Sequence, residues 1–344
     1  MMNKRSGKST VIFENPPVIL SGASIVGKKE GEGPLKDLFD LIEEDAMLGM
    51  NTWEEAESTF QKKAAEKALE KACLAKKDIQ YIFSGDLLGQ LIATSFGLMD
   101  LEIPLVGIYG ACSTMGEALA LGSMVLDGGF ADNILALTSS HFASAEKQFR
   151  FPLDYGNQRP LSASWTITGS GGLILGKGDQ KSKNKPVVTS ATIGKIVDLG
   201  IKDSMNMGAC MAPAACDTIY QNLVDLGRQP EDYDKIITGD LGYVGQEILI
   251  KLLKDKGYDI TSQHTDCGIE IFDRETQDTH SGGSGCGCSA VTLAAYILPK
   301  LSSGAWKRVL FVPTGALLST VSFNEGQSVP GIAHGVVLES RKQL

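Results

Sequence analysis

Cys112 is the residue whose type and setting could do chemistry. An apolar run, Leu105-Val106-Gly107-Ile108-Tyr109, breaks at Gly110-Ala111, and a helix-like stretch from Thr114 to Asp127 follows the cysteine. A thiol at a helix mouth meets backbone N–H groups and the positive end of the macrodipole, which favour thiolate and make an acyl acceptor. The competing reading is a small buried apolar Cys, the common fate of an intracellular cysteine. His141 and His334 stand at predicted strand ends, where α/β folds open their ligand crevices, and each could be a donor to a carboxylate or simply a structural His. Ser281-Gly282-Gly283-Ser284-Gly285 offers close backbone approach at a helix start, which suits an anion. His264, Cys267, His280, Cys286 and Cys288 lack the spacing of a zinc site, so no metal or cofactor is expected. Ser6-Gly7-Lys8-Ser9-Thr10 has the tail of a phosphate loop but no preceding strand.

The elements that must position these residues alternate between strand and helix. Short apolar runs at Tyr81–Ser84, Leu105–Tyr109, Ile134–Thr138 and Leu173–Leu175 predict buried strands in the first half. The second half predicts strands near Ile236–Thr238, Gly268–Phe272, Val309–Val312 and Val336–Glu339. Helices are expected over Trp53–Cys73 and Thr114–Asp127, then near Ala209–Asp225, Gln246–Asp255 and Ser289–Leu301. This alternation predicts an α/β fold with a mostly parallel sheet in each half.

The chain also echoes itself. Ile82-Phe83-Ser84-Gly85-Asp86-Leu87 returns as Ile236-Ile237-Thr238-Gly239-Asp240-Leu241, and Gly110-Ala111-Cys112-Ser113 returns as Cys286-Gly287-Cys288-Ser289. The unit is far longer than a solenoid module, so each copy is expected to own a core. We divide the chain into an N-terminal half, 1–180, which carries Cys112, and a C-terminal half, 181–344, with the polar stretch from Lys177 to Pro186 as linker.

With 344 residues, 43% hydrophobic and 21% charged, the composition is that of a globular chain. The net charge of −9 excludes nucleic acid as a partner, since phosphate binding needs a basic face. Seven cysteines in irregular spacing suit a reducing compartment. No signal peptide or membrane span is expected, because Glu14, Asn15, Pro16 and Pro17 split the only apolar runs near the N-terminus.

Two α/β halves with a cysteine opening a central helix resemble the ketoacyl synthase and thiolase superfamily over nearly the whole length. Longer stretches resemble the stage V sporulation protein AD family of spore-forming bacteria. They include Gly110-Ala111-Cys112-Ser113-Thr114, Thr138-Ser139-Ser140-His141, Gln148-Phe149-Arg150-Phe151-Pro152, Met211-Ala212-Pro213-Ala214-Ala215, Thr314-Gly315-Ala316-Leu317-Leu318-Ser319 and Ile332-Ala333-His334-Gly335. The resemblance implies a duplicated thiolase-like fold, five-layered αβαβα, with its halves about a pseudo-twofold axis. It also implies binding of dipicolinic acid, free or as its calcium complex, and its uptake into the developing spore. Small membrane proteins of the same sporulation set are the implied partners, with a homodimer by analogy to thiolases. A soluble, peripheral position at the inner spore membrane follows.

Condensing enzymes of the superfamily place His and Asn beside the cysteine. Those places fall here near Gly239-Asp240 and Ser284, which supply neither. Without those donors the enolate and the thioester carbonyl go unstabilised. The expected role is therefore binding, with Cys112, Ser113, Thr114, His141, Arg150, Lys195, Asp240, Ser284, Gly315 and His334 as ligand residues. Arg159 is a third cation near the pocket loops. The rival is an acyltransferase in which Cys112 accepts the acyl group and Asp240 or His334 acts as base.

Overall fold

The computed structural model describes residues 4–149, 158–178 and 182–341. Ten strands carry the fold: β1 (Val18–Gly27), β2 (Tyr81–Gly85), β3 (Leu105–Gly107), β4 (Asn133–Ser140), β5 (Gly169–Gly176), β6 (Val187–Thr192), β7 (Lys235–Thr238), β8 (His264–Asp266), β9 (Arg308–Val312) and β10 (Gly335–Glu339). The first five are ordered β1-β5-β4-β2-β3 and the last five β6-β10-β9-β7-β8. In both groups the first two neighbouring pairs are antiparallel and the outer two parallel. One antiparallel pair, Val18 with Val187, joins the groups. The same order twice is the duplication that the echoed residues predict.

The sheets are mixed, not mostly parallel. β5 is the cause: the chain leaves β4 at Ser140 and re-enters at Gly169, directly opposite, so β5 must run back along β4. Alternation of strand and helix cannot reveal this direction. β3 is also not buried. It is an edge strand whose Leu105 and Val106 are 41% and 39% exposed.

The main helices are α1 (Trp53–Ala72), α2 (Ile92–Leu98), α3 (Thr114–Asp127), α4 (Phe142–Phe149), α5 (Met207–Leu226), α6 (Gly242–Asp255), α7 (Cys267–Ile271) and α8 (Cys286–Thr292), the last running on through a π-turn to Ser303. α1 starts at a capping box between Thr52 and Glu55 and stops at Cys73 in the left-handed region. α5 starts where the Asn206 side chain accepts from Ala209 N and ends at Gly227, φ 61°. The expected strand at Gly268–Phe272 is instead α7. The Asp266 carboxylate accepts from Gly268 N and starts a helix there, so the strand ends earlier, at Asp266.

The layers follow from these contacts. α1, packed with α2, covers β1, β4 and β5 on one outer face; α5, packed with α6, covers β6, β9 and β10 on the other. Between the sheets lie α3, which touches both, and α8, a second-half helix that rests on first-half strands β1, β4 and β5. Small residues allow this closeness: a Cβ on Gly171 of β5 would come within 2.5 Å of the Ala290 carbonyl carbon in α8. Each half owns a core, Phe60, Ala64, Leu135 and Ile174 in the first and Met211, Ile219, Leu249 and Leu310 in the second, and a larger shared cluster joins them. The main cluster mixes Phe83, Met115, Leu119 and Leu173 with Ile237, Val309, Phe311 and Val336.

Candidate functional site

Cys112 sits on a tight turn between β3 and α3. Ala111 before it has φ 50°, a left-handed conformation that costs an L-residue about 1–2 kcal/mol. Ser113 N and Thr114 N donate to Gly110 O and Ala111 O, and the Ser113 and Thr114 hydroxyls donate to the same two carbonyls. The backbone donors expected to face the thiol are thus consumed by the turn. A Cβ on Gly315 would lie 2.3 Å from Gly110 O, so the loop after β9 presses backbone against backbone on this turn.

The thiol is buried, and its neighbours accept. Cys112 Sγ lies 3.9 Å from Ser284 Oγ, and Ser284 in turn donates to Asp240 Oδ2 at 2.6 Å. Since the one hydroxyl proton goes to Asp240, the thiol donates to Ser284. Asp240 also accepts from Gly285 N at 3.1 Å and from Thr314 Oγ1, on its other oxygen, at 2.7 Å. Burial pushes the Cys112 thiol well above its usual range, with the Asp240 carboxylate adding to it. Burial likewise raises Asp240, opposed by the hydrogen bonds it receives. The helix-activated thiolate is corrected accordingly: the relay ends in an acceptor and holds the proton on sulfur. The free space bordered by Leu87, Tyr109, Cys112, Phe149, Met207 and Ser284 is about 30 Å³, one water's share of liquid volume.

Of the sequence-predicted site residues, the fold brings Cys112, Ser113, Thr114, Asp240, Ser284 and Gly315 together. His141 is elsewhere. Its Nε2 bonds Ala46 O, its Nδ1 accepts from Ala143 N, and its ring packs on Trp53. The His334 backbone carbonyl abuts Gly116 of α3, but its imidazole turns to accept from Gly194 N, and burial lowers it to about 4. Lys195 is exposed and paired with Asp217 at 2.8 Å. Arg150 lies outside the described residues.

The register of the echo also shifts. α3 begins at Thr114 and α8 at Cys286, 172 residues on, so the counterpart of Cys112 is Ser284 and not Cys288. Ser289, expected at the helix mouth, lies inside α8. Thr314 went unrecognised as a site residue, although it follows β9 as Thr138 lies near the end of β4. A second missed group is the buried Glu57, which accepts from Ser139 and Ser144, with burial and then Asp86 raising its carboxyl. Its signal was a glutamate on the same helical face as Phe60 and Ala64. Among the described residues no three or more His, Cys, Asp or Glu gather as metal ligands, and no helix is long and apolar enough to cross a membrane.

Comparison with known proteins fits this geometry. Residues 7–339 match the profile of the family described as stage V sporulation protein AD. The stage V sporulation protein AD of Bacillus subtilis (strain 168) is 44% identical over 336 residues, 98% of each chain. Among solved structures, an OleA variant of Xanthomonas campestris superposes with a TM-score of 0.60 at 14% identity, covering 98% of this chain and 100% of that one. The 3-oxoacyl-[acyl-carrier-protein] synthase III of Aquifex aeolicus VF5 gives 0.55 at 14% identity, over 94% and 99%. The fold is therefore that of the thiolase-like condensing enzymes, and the chain belongs to the stage V sporulation protein AD family.

Proposed function

We propose that this sporulation protein binds dipicolinic acid during its uptake into the developing spore and does not condense acyl groups. The observation that carries the second part is the Cys112–Ser284–Asp240 relay, in which the thiol's hydrogen-bond partner is a hydroxyl that leads on to a carboxylate. Condensation needs donors at the place that Asp240 occupies, and one missing donor of that kind costs about 10²–10³ in rate. Dipicolinic acid itself rests on the family resemblance. Calorimetry should show saturable one-site binding of dipicolinic acid; no heat at millimolar ligand with folded protein would sink the reading. The relay also favours a second reading, in which Asp240 acts through Ser284 as base and Cys112 is acylated. Incubation with an acyl thioester followed by mass spectrometry decides, and we expect no adduct on Cys112.

We also propose a homodimer built on β3. Among the described residues that strand pairs only with β2, and Phe96 and Met99 are 64% and 63% exposed. An open edge beside apolar side chains is what a twofold copy would cover. Sedimentation velocity should return a dimer, and the double change Phe96→Glu with Met99→Glu a monomer; a monomeric parent chain at micromolar concentration overturns the idea. Contact with the inner spore membrane is assigned to small membrane proteins of the same set, since a net charge of −9 repels anionic lipid. The chain should stay in the supernatant with pure lipid vesicles and pellet only with partners present.

A further inference from the structure

Acids surround the space beside Cys112. It opens past Leu87, Tyr109, Phe149 and Leu318, which also border an outer cleft of about 290 Å³. Among the described residues, neither lining holds a lysine, arginine or histidine. The cations expected near the pocket are engaged elsewhere: Lys195 pairs with Asp217, and Arg159 donates to Asp278 O at 2.8 Å.

The titratable groups around the relay repeat this bias. Asp266 at the end of β8, Cys267 on α7, and Cys286 and Cys288 on α8 act on Asp240 or Cys112. Asp86 acts on Cys286 and on Tyr109 at the mouth, and Glu57 of α1 acts on Cys286. All of them are acids. A carboxylate brought to Ser284 therefore meets like charge out of water, and two carboxylates separated by one hydroxyl cannot both stay ionised there.

One proton removes the conflict. With Asp240 ionised, its Oδ2 accepts from Ser284 Oγ and Gly285 N and its Oδ1 from Thr314 Oγ1, so Ser284 has no proton left to offer the space. A proton added to Oδ2 reverses the first of these bonds: the carboxyl donates to Ser284 Oγ, and the Ser284 hydroxyl is released to donate into the space. The Cys112 thiol, 3.9 Å from the same oxygen, supplies a second, weaker donor. A wall of acceptors becomes a wall of donors with no heavy atom displaced.

We propose that the Cys112 pocket binds a carboxylate together with one proton, Asp240 taking the proton and Ser284 donating to the carboxylate. The inference rests on the dipicolinic acid reading and adds a coupling to it: ligand and proton enter together. Affinity is then steady where Asp240 is already protonated in the free chain, and it falls about tenfold per pH unit where Asp240 is ionised.

The test is calorimetry of dipicolinate with the full chain in phosphate, HEPES and Tris, at half-unit steps from about pH 6 to 9. Those buffers differ in ionisation heat, so the difference in binding heat counts protons. Uptake should rise toward about one proton per ligand at the alkaline end, with affinity falling up to about tenfold per unit there. Asp240→Asn, neutral at every pH, should bind with no proton uptake and a flat affinity profile. Ser284→Ala keeps the acid and removes the donor, and should weaken binding about tenfold or more at the acidic end. Should Asp240→Asn not fold, the proton count on the parent chain and Ser284→Ala still decide. Dipicolinate binding without proton uptake at any pH, uptake that persists in Asp240→Asn, or parent-like affinity in Ser284→Ala overturns the inference and leaves the functional reading standing. Binding that needs calcium and takes up no proton overturns it too, since the metal then supplies the charge. Benzoate that binds with Asp240-dependent uptake where dipicolinate does not bind keeps the inference and sinks the functional reading. Neither probe binding at millimolar concentration removes both.

Discussion

Asp240→Ala is expected to lower the free energy of unfolding by about 3–5 kcal/mol, read from urea denaturation midpoints. The carboxylate is 1% exposed and accepts from Ser284 Oγ, Thr314 Oγ1 and Gly285 N. Removing it strands three buried donors, and the closed surroundings give water little room to replace it. Asp240→Asn should cost less, because one oxygen remains to accept. That variant carries a second, independent readout. Without the neighbouring negative charge, the Cys112 thiol should ionise more readily, so its alkylation by iodoacetamide at pH 8 should speed up over the parent chain. Parent-like stability in Asp240→Ala would show that the carboxylate is not the acceptor that the fold depends on.

Much of this site was legible in the sequence, for reasons that differ from residue to residue. Cys112 was placed at the helix mouth because a Gly-Ala break between an apolar run and a helical pattern has few other readings. Asp240 is reached through the resemblance, at a place where condensing enzymes carry a donor, and the repeat aligns it with Asp86. Its chemistry was not legible, since an aspartate's role depends on which donors a distant loop brings, and Thr314 arrives from the end of another strand. Ionisation of the cysteine was misjudged for a similar reason. A helix start predicts spare N–H groups, but here the carbonyls of Gly110 and Ala111 consume them. His141 and His334 share the strand-end position that suggested a ligand role, yet their side chains turn to Ala46 O and Gly194 N. Strand ends are local knowledge; the direction of a side chain at such an end is set by packing.

The second large effect is on pH. Burial raises Glu30 and Asp266 to about 7 and also pushes Glu57 up. Carboxyls whose folded pKa lies above the unfolded value hold extra protons in the native state. Their stabilising contribution is complete below about pH 4.5 and is lost as pH rises through the folded values. Buried His264 and His334 work the other way. Their folded values fall to about 3 and about 4, so stability returns as pH climbs from there to the unfolded value near 6.5. The two trends oppose below pH 6.5, and only the carboxyls act above it. Three raised carboxyls outweigh two histidines, so the unfolding free energy should be greatest at about pH 4.5 and decline above it, falling by about 2 kcal/mol between pH 6.5 and 8. Urea midpoints at half-unit steps measure this; a flat or rising trend over that interval contradicts it.

The middle layer has a consequence for how the gene's two halves can be separated. α8 is encoded in the second half yet lies on first-half strands, and α3 from the first half reaches second-half strands β6 and β10. A fragment expressed alone would leave one of these helices with an apolar face and nothing to cover it, an invitation to aggregate. The duplication that is plain in the strand order should therefore be hard to undo: the whole chain is expected to melt in a single calorimetric transition, and either half expressed alone to aggregate.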